Sequence, residues 1–174
     1  FQGFSDFNAR YVGILKNWEL LQDGLNPIAR TNVAPELGPP FEPCLFGFSY
    51  TVVAANAKSS FVVAGAGELP EGSLDPHDVV RKGETTTEAL REKARFVMSL
   101  MDGRVRGLGT RWADVTQTNL FTVHPVCPWL NTEVLSKMGS AQLQGVNWYF
   151  ARPPIVSIEF EMDLRGVGRE VVIG

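Results

Sequence analysis

"YFARPPIVSIEFEMD", Tyr149 to Asp163, is the stretch on which the fold turns. From Val156 the pattern alternates, with Val156, Ile158, Phe160 and Met162 on one face and Ser157, Glu159 and Glu161 on the other. A repeat of two is the signature of a half-buried strand. Upstream, Pro153 pushes Arg152 out of helical geometry toward an extended backbone. Neither Pro153 nor Pro154 can donate a ladder hydrogen bond. The Arg152 guanidinium is thus carried at a stiff strand entrance, a position that suits a structural ion pair or a grip on an anion. Residue type leaves both readings open.

Working outward, two strand-like runs precede the helices. "LFGFSYTVVAA" (45–55) and "SSFVVAGAG" (59–67) are rich in β-branched and aromatic residues, with "NAKS" between them as a hairpin turn. The loop "ELPEGSLDPHD" (68–78) is kept irregular by Pro70, Gly72 and Pro76. "TTTEALREKARFVMSLMDG" (85–103) predicts the clearest helix. Thr85 and Glu88 have capping-box spacing, Leu90, Ala94, Val97 and Met101 share a face, and Asp102-Gly103 supplies the stop. "ADVTQTNLFTVH" (113–124) reads as a strand ended by Pro125, and a weaker helix runs from about Trp129 to Gln144. The Arg152 strand follows, then a short one at "REVVI" (169–173). A hairpin through "DLRGVGRE" (163–170) would set those last two side by side. The order β-β-α-β-α-β-β predicts an α+β domain over residues 44–174, one sheet carrying both helices on one face. The mixed character of the other face points to subunit packing.

Residues 1–43 read as an N-terminal arm. "ARYVGILKNWELLQDG" (9–24) makes a short amphipathic helix with Val12, Leu15, Trp18 and Leu21 near one side. "NPIARTNVAPELGPPFEP" (26–43) is proline-rich and without period, an extended connection. Nothing in the arm proposes chemistry.

Composition narrows the class. The 174 residues, 44% hydrophobic and 20% charged, suffice for one domain with a sizeable core. A net charge of −3 leaves no basic footprint for nucleic acid. No apolar run approaches the roughly 18 residues of a membrane span. No signal-peptide pattern is visible, and a start at Phe1 leaves removal of a preceding segment open. Cys44 and Cys127 are too few for a disulfide framework and are expected as reduced, buried thiols of a cytoplasmic protein.

Several motifs yield little. "GAGELPEG" (65–72) has the wrong spacing for a dinucleotide loop and no helix directly behind it. His77 and His124, even with Cys127, lack two-plus-two metal spacing, and no nucleophile motif assembles around them. Glu159 and Glu161 share a strand face, where paired carboxylates can do acid–base work. Arg165 and Arg169 lie close enough to neutralise them, which favours a solvated or inter-subunit charge cluster. Arg152 and Glu170 stand at the starts of the two last strands. They read equally as a sheet-edge salt bridge or as a division of labour. In the second case arginine grips a carboxylate with its rigid fork and glutamate holds or deprotonates a water.

From about residue 41 to 174 the chain resembles the RidA/YjgF superfamily of reactive-imine deaminases, within which an aminomuconate-deaminase-like member is one reading. "GFSYTVVAA" is similar to the family's first strand and "FVVAGAGELPEG" to its second strand and turn. "LMDGRVRGLGTRWADVTQTNLFTV" resembles its helix, Gly-rich connection and next strand; "FARPP" stands at its Pro-Ala-Arg-Ser and "REVVI" at its final strand. The resemblance implies a chorismate-mutase-like fold and a homotrimer with ligand clefts between subunits. It implies that Arg152 binds the substrate carboxylate and Glu170 positions the water that attacks a C=N carbon, releasing ammonia. Tyr50, Gly65 and Asn131 would complete the pocket, with no metal or organic cofactor. Ala64 and Pro153-Pro154 depart from the family pattern, as does the arm, so the pocket is expected to differ. An aminomuconate is then as fitting a substrate as a two- or three-carbon enamine. A trimer that binds small carboxylates without turning them over is the other function these residues allow.

Overall fold

The computed structural model describes residues 2–55 and 58–172. An N-terminal helix, α1 (Gln2–Asn17), leads into a two-residue strand β1 (Ala34–Pro35). The domain proper follows as β2 (Phe61–Gly67), α2 (Thr87–Gly107), β3 (Gln117–Phe121), β4 (Asn147–Tyr149), β5 (Ala151–Arg152) and β6 (Glu161–Gly166). β2, β6, β3 and β4 form one mixed sheet in that order, antiparallel except for the parallel β3–β4 pair. β1 pairs with β5 outside it. The fold is α+β, as the pattern predicted.

One sheet face is dry. α2 lays Leu90, Ala94, Val97, Met101 and Val105 over Val63 of β2, Leu120 of β3 and Phe160, Met162 and Leu164 of the central strand run. Thr86, one residue later than expected, caps the helix by accepting from the Ala89 N–H. The helix also passes Asp102-Gly103, because Gly103 can be tolerated in an interior whose apolar face stays packed. The second helix is instead a π turn (Leu130–Val134) followed by 3₁₀ turns at Leu135–Lys137 and Gly139–Gln144. Gly139 sits at φ +57° between them, a conformation that interrupts an α-helix. These turns still share the core through Trp129, Val134 and Met138, and Glu133 ties them to Arg91 and Arg95 of α2.

Other expectations are corrected. Residues 45–55 form no strand, and Leu45, Phe46, Phe48, Tyr50 and Val53 are exposed; a β-prone segment becomes a strand only when it finds a ladder partner. The "NAKS" turn falls partly on residues 56–57, outside the described residues. No strand forms over 169–172, so the hairpin that would have set it beside Arg152 is absent among the described residues. α1 begins earlier than expected and buries Leu15, while Val12 and Trp18 are exposed. Cys44 and Cys127 are free, as expected, but exposed rather than buried. Among the described residues, no helix is long and apolar enough to cross a membrane.

Candidate active site on the open face of the sheet

The sheet face turned away from α2 is polar because β6 keeps alternating past Met162. Met162 and Leu164 point into the core, which leaves Glu161, Asp163 and Arg165 on the opposite side. Cross-strand register builds three rows on that face. Glu161 stands opposite Phe121, which stands opposite Tyr149; Asp163 is followed by Asn119 and Asn147; Arg165 faces Gln117. The Asn119 amide donates to Asp163 Oδ1 at 2.7 Å, and Gln117 and Asn147 both donate to Asn119 Oδ1. Phe121 and Tyr149 stack at 5.2 Å.

Where the rows reach β4 they meet an open hollow of about 600 Å³ lined by Gln117, Asn147, Trp148, Tyr149, Glu170 and Val172. At the other end the N-terminal arm lies across the face. The Gly65 N–H donates to the Arg30 carbonyl at 3.2 Å, and Thr31 hydrogen-bonds Asp163. Arg30 is itself clamped, bonded to Asn8 and stacked over the rings of Phe7 (5.0 Å) and Tyr11 (4.5 Å) of α1.

Burial dominates the electrostatics. Glu161 is 6% exposed, and among the described residues its carboxyl makes neither hydrogen bond nor ion pair. Desolvation, with the negative charges of Asp163 and Glu68, lifts it to about 8, opposed more weakly by Arg104 and Arg30. Asp163 is also raised by burial, against the pull of its Thr31 and Asn119 hydrogen bonds. A buried carboxyl that stays protonated at neutral pH is a group suited to proton transfer.

The expected site residues are distributed as follows. Arg152, about half exposed, grips Glu36 of the arm through two hydrogen bonds of 2.6 and 2.9 Å, which hold Glu36 below the usual carboxylate range. Glu159, whose charge also favours the protonated guanidinium, is a further acidic neighbour. Glu170 pairs with Arg165 and lines the hollow. Within one chain, therefore, Arg152 and Glu170 occupy separate ion pairs. Tyr50 is exposed beside Phe48, and Asn131 is exposed on the π turn.

Gly65 lies at the heart of the face, on a bulge between Val63 and Ala66 whose carbonyls, at Ala64 and Gly65, accept from Arg104 of α2. A Cβ there would overlap Glu161 Oε1 and come within 2.9 Å of Thr31 Cγ2. Gly65→Ala is expected to destabilise the protein by about 1–3 kcal/mol, the usual cost of overpacking; an unchanged urea midpoint would show that Glu161 is not held there.

Glu161 was weighed only in a pair with Glu159 and set aside as a charge cluster; its pairing with Asp163, and the arm residues Arg30 and Thr31, were missed. The signal for the first pair was present: the alternation continues through "EMDLRG" (161–166) and places both acids on one face. For the arm there was none, since a proline-rich segment without period gives no sign of what it covers.

Comparison with known proteins agrees with the resemblance. Residues 1–171 match the family 2-aminomuconate deaminase CnbZ, arm included. The chain is 42% identical over 175 residues to a 2-amino-5-chloromuconate deaminase of Comamonas testosteroni, covering 99% of this chain and 69% of that protein. It belongs to this deaminase family. Among solved structures it is similar to a putative endoribonuclease of Thermotoga maritima, with TM-score 0.47, 18% identity, and coverage of 79% of this chain and 93% of the other. It is also similar to the Rid-family protein YyfB of Yersinia pestis, with TM-score 0.44, 18% identity, and coverage of 76% and 94%.

Proposed function

We propose that the protein hydrolytically deaminates a 2-aminomuconate-like enamine or imine dicarboxylate, releasing ammonia. The observation that carries this reading is 42% identity to a named 2-amino-5-chloromuconate deaminase across 99% of the chain. The open face supports it chemically. An imine carbon is already electrophilic, so a protein need only hold the substrate's carboxylates, manage one proton and place one water.

In this proposal Arg152 binds a substrate carboxylate. Its bidentate hold on Glu36 is the geometry that such a carboxylate would take over. Glu170, at the rim of the hollow, positions the water. Assembly as a homotrimer, in which neighbouring subunits share each cleft, would bring together two groups that one chain holds apart. Substrate and hydrolytic chemistry require no organic cofactor, and the hydrolysis is balanced by water alone.

Ammonia release from freshly generated 2-aminomuconate, compared with 2-aminoacrylate, tests the reading. Turnover of the first is expected, and binding without turnover of either would instead identify a carboxylate-binding protein. Arg152→Ala is expected to raise KM for the dicarboxylate at least tenfold while leaving the subunit count by light scattering unchanged. Wild-type kinetics in that variant would remove Arg152 from the site.

A further inference from the structure

We propose that Glu161 is the acid that protonates a substrate carbon in this deamination, an inference that rests on the function proposed above. Three features of its setting lead there. It is the one carboxyl on the open face that is both buried and without a hydrogen-bonding or ionic partner among the described residues. Gly65 is shaped around it, since any side chain at that position would fill the space its Oε1 occupies. Beside it lie Arg30 and Thr31, the start of the arm segment Arg30–Glu36. That segment is held by the Gly65–Arg30 and Glu36–Phe150 backbone bonds, Thr31 on Asp163, the two-residue β1–β5 bridge and the Glu36–Arg152 ion pair, with Arg30 anchored on Asn8, Phe7 and Tyr11 of α1. Its strand bridge is two residues long and its ion pair is solvent-accessible, so the stretch around Glu36 opens at lower free energy than the core.

Lifting the arm therefore does two things together. It withdraws Glu36, which frees the Arg152 guanidinium for a carboxylate, and it takes Arg30 and Thr31 away from the neighbourhood of Glu161.

The step balances without any co-reactant. The Glu161 O–H bond breaks and the proton goes to the enamine carbon. The C=C π pair becomes the new C–H bond, and the nitrogen lone pair forms C=N. Water then adds to the C=N carbon, and its proton returns to the Glu161 carboxylate. The hydroxyl proton of the resulting carbinolamine passes to nitrogen, the C–N bond breaks, ammonia leaves and a ketone remains. The groups facing Glu161 suit a donor that must work near neutrality. Asp163 on its own strand and Glu68 at the end of β2 disfavour its anion, while Arg104 of α2 and Arg30 of the arm stabilise the anion left after transfer.

Steady-state turnover of 2-aminomuconate by wild type, Glu161→Gln and Glu161→Asp, from pH 6 to 10, tests the role. Wild-type kcat is expected to fall on the alkaline side, where the acid loses its proton. Glu161→Gln is expected to lose about 10²–10⁴-fold in kcat with KM little changed. Its residual rate should lack the alkaline limb, and Glu161→Asp should recover part of the activity. Thermal melting of each variant separates this from misfolding. In deuterium oxide, wild-type product should carry deuterium at carbon from the first turnover. Wild type that releases ammonia while Glu161→Gln keeps its kcat, or keeps the alkaline limb in a reduced rate, overturns the role of Glu161 alone. Wild type that releases no ammonia overturns the deaminase reading and this inference with it.

Discussion

Replacing Lys93 with methionine is expected to lower the folding free energy by about 3–5 kcal/mol, the usual consequence of leaving a buried charge without its partner. Lys93 and Glu68 are both fully buried. The ammonium donates to Glu68 Oε1 at 3.0 Å and to the Val80 carbonyl at 2.8 Å. Glu68 in turn accepts from the backbone N–H groups of Glu159 (2.6 Å) and Phe160 (3.0 Å). One pair thus joins α2, the end of β2, the loop at Val80 and the approach to β6. Burial raises Glu68, and Lys93 is the largest force opposing that rise. Without the cation, the carboxyl must either take up a proton or remain a solitary buried anion. Pairing Lys93→Met with Glu68→Gln should restore at least half the loss, because the amide oxygen still accepts from Glu159 or Phe160 while the charge is gone. Urea unfolding of the two variants checks this. A single-variant loss below about 1 kcal/mol would mean that the pair is solvated rather than buried.

The parts of this fold that were legible in the sequence are those whose apolar period coincides with a continuous partner. β2 and β3 fall within the stretches read for them, and α2 covers most of its own and runs on to Gly107, because Val63, the Leu90–Met101 stripe and Leu120 all face one core. The strand opening at Val156 was legible in kind but not in extent. Ser157 takes φ +80°, and the ladder starts only at Glu161. That left-handed residue sits within the turn Ile155–Ile158 that follows Pro153-Pro154, and nothing in a serine announces it. Alternation suggested a solvated or inter-subunit cluster at Glu159 and Glu161, but Glu159 bonds His124 and Glu161 is buried; what the pattern lacked was the arm. Residues 30–36 have no period, so their place across the open face, and the burial they impose on Glu161, arise only from tertiary contacts. The same reasoning explains residues 45–55 and 169–172, where β-propensity alone set no strand because a ladder requires an edge to join.

Glu161 should also leave its mark on stability as a function of pH. Its ordinary value is 4.5, and burial holds it at about 8 in the folded chain. The folded state thus binds a proton that the unfolded state has already released, and stability falls wherever that is so. The contribution is fully present below pH 4.5, declines as pH rises between the two values, and is lost above about 8. A displacement of that size corresponds to roughly 5 kcal/mol, an upper figure because water admitted on opening the arm would relieve part of it. Glu161→Gln keeps the shape and has no proton to lose. The variant is therefore expected to match wild type near pH 4.5 and to exceed it by several kcal/mol at pH 9, as measured by urea midpoints across the range. A difference that does not vary with pH would mean that Glu161 titrates as an ordinary surface acid. Asp163 and Glu68 are raised in the same direction, so wild type and variant should share a residual slope, and the gap between their curves isolates Glu161. The same substitution that removes the proposed proton donor should thus stabilise the alkaline fold, as expected of a group kept for chemistry at some expense to the structure that holds it.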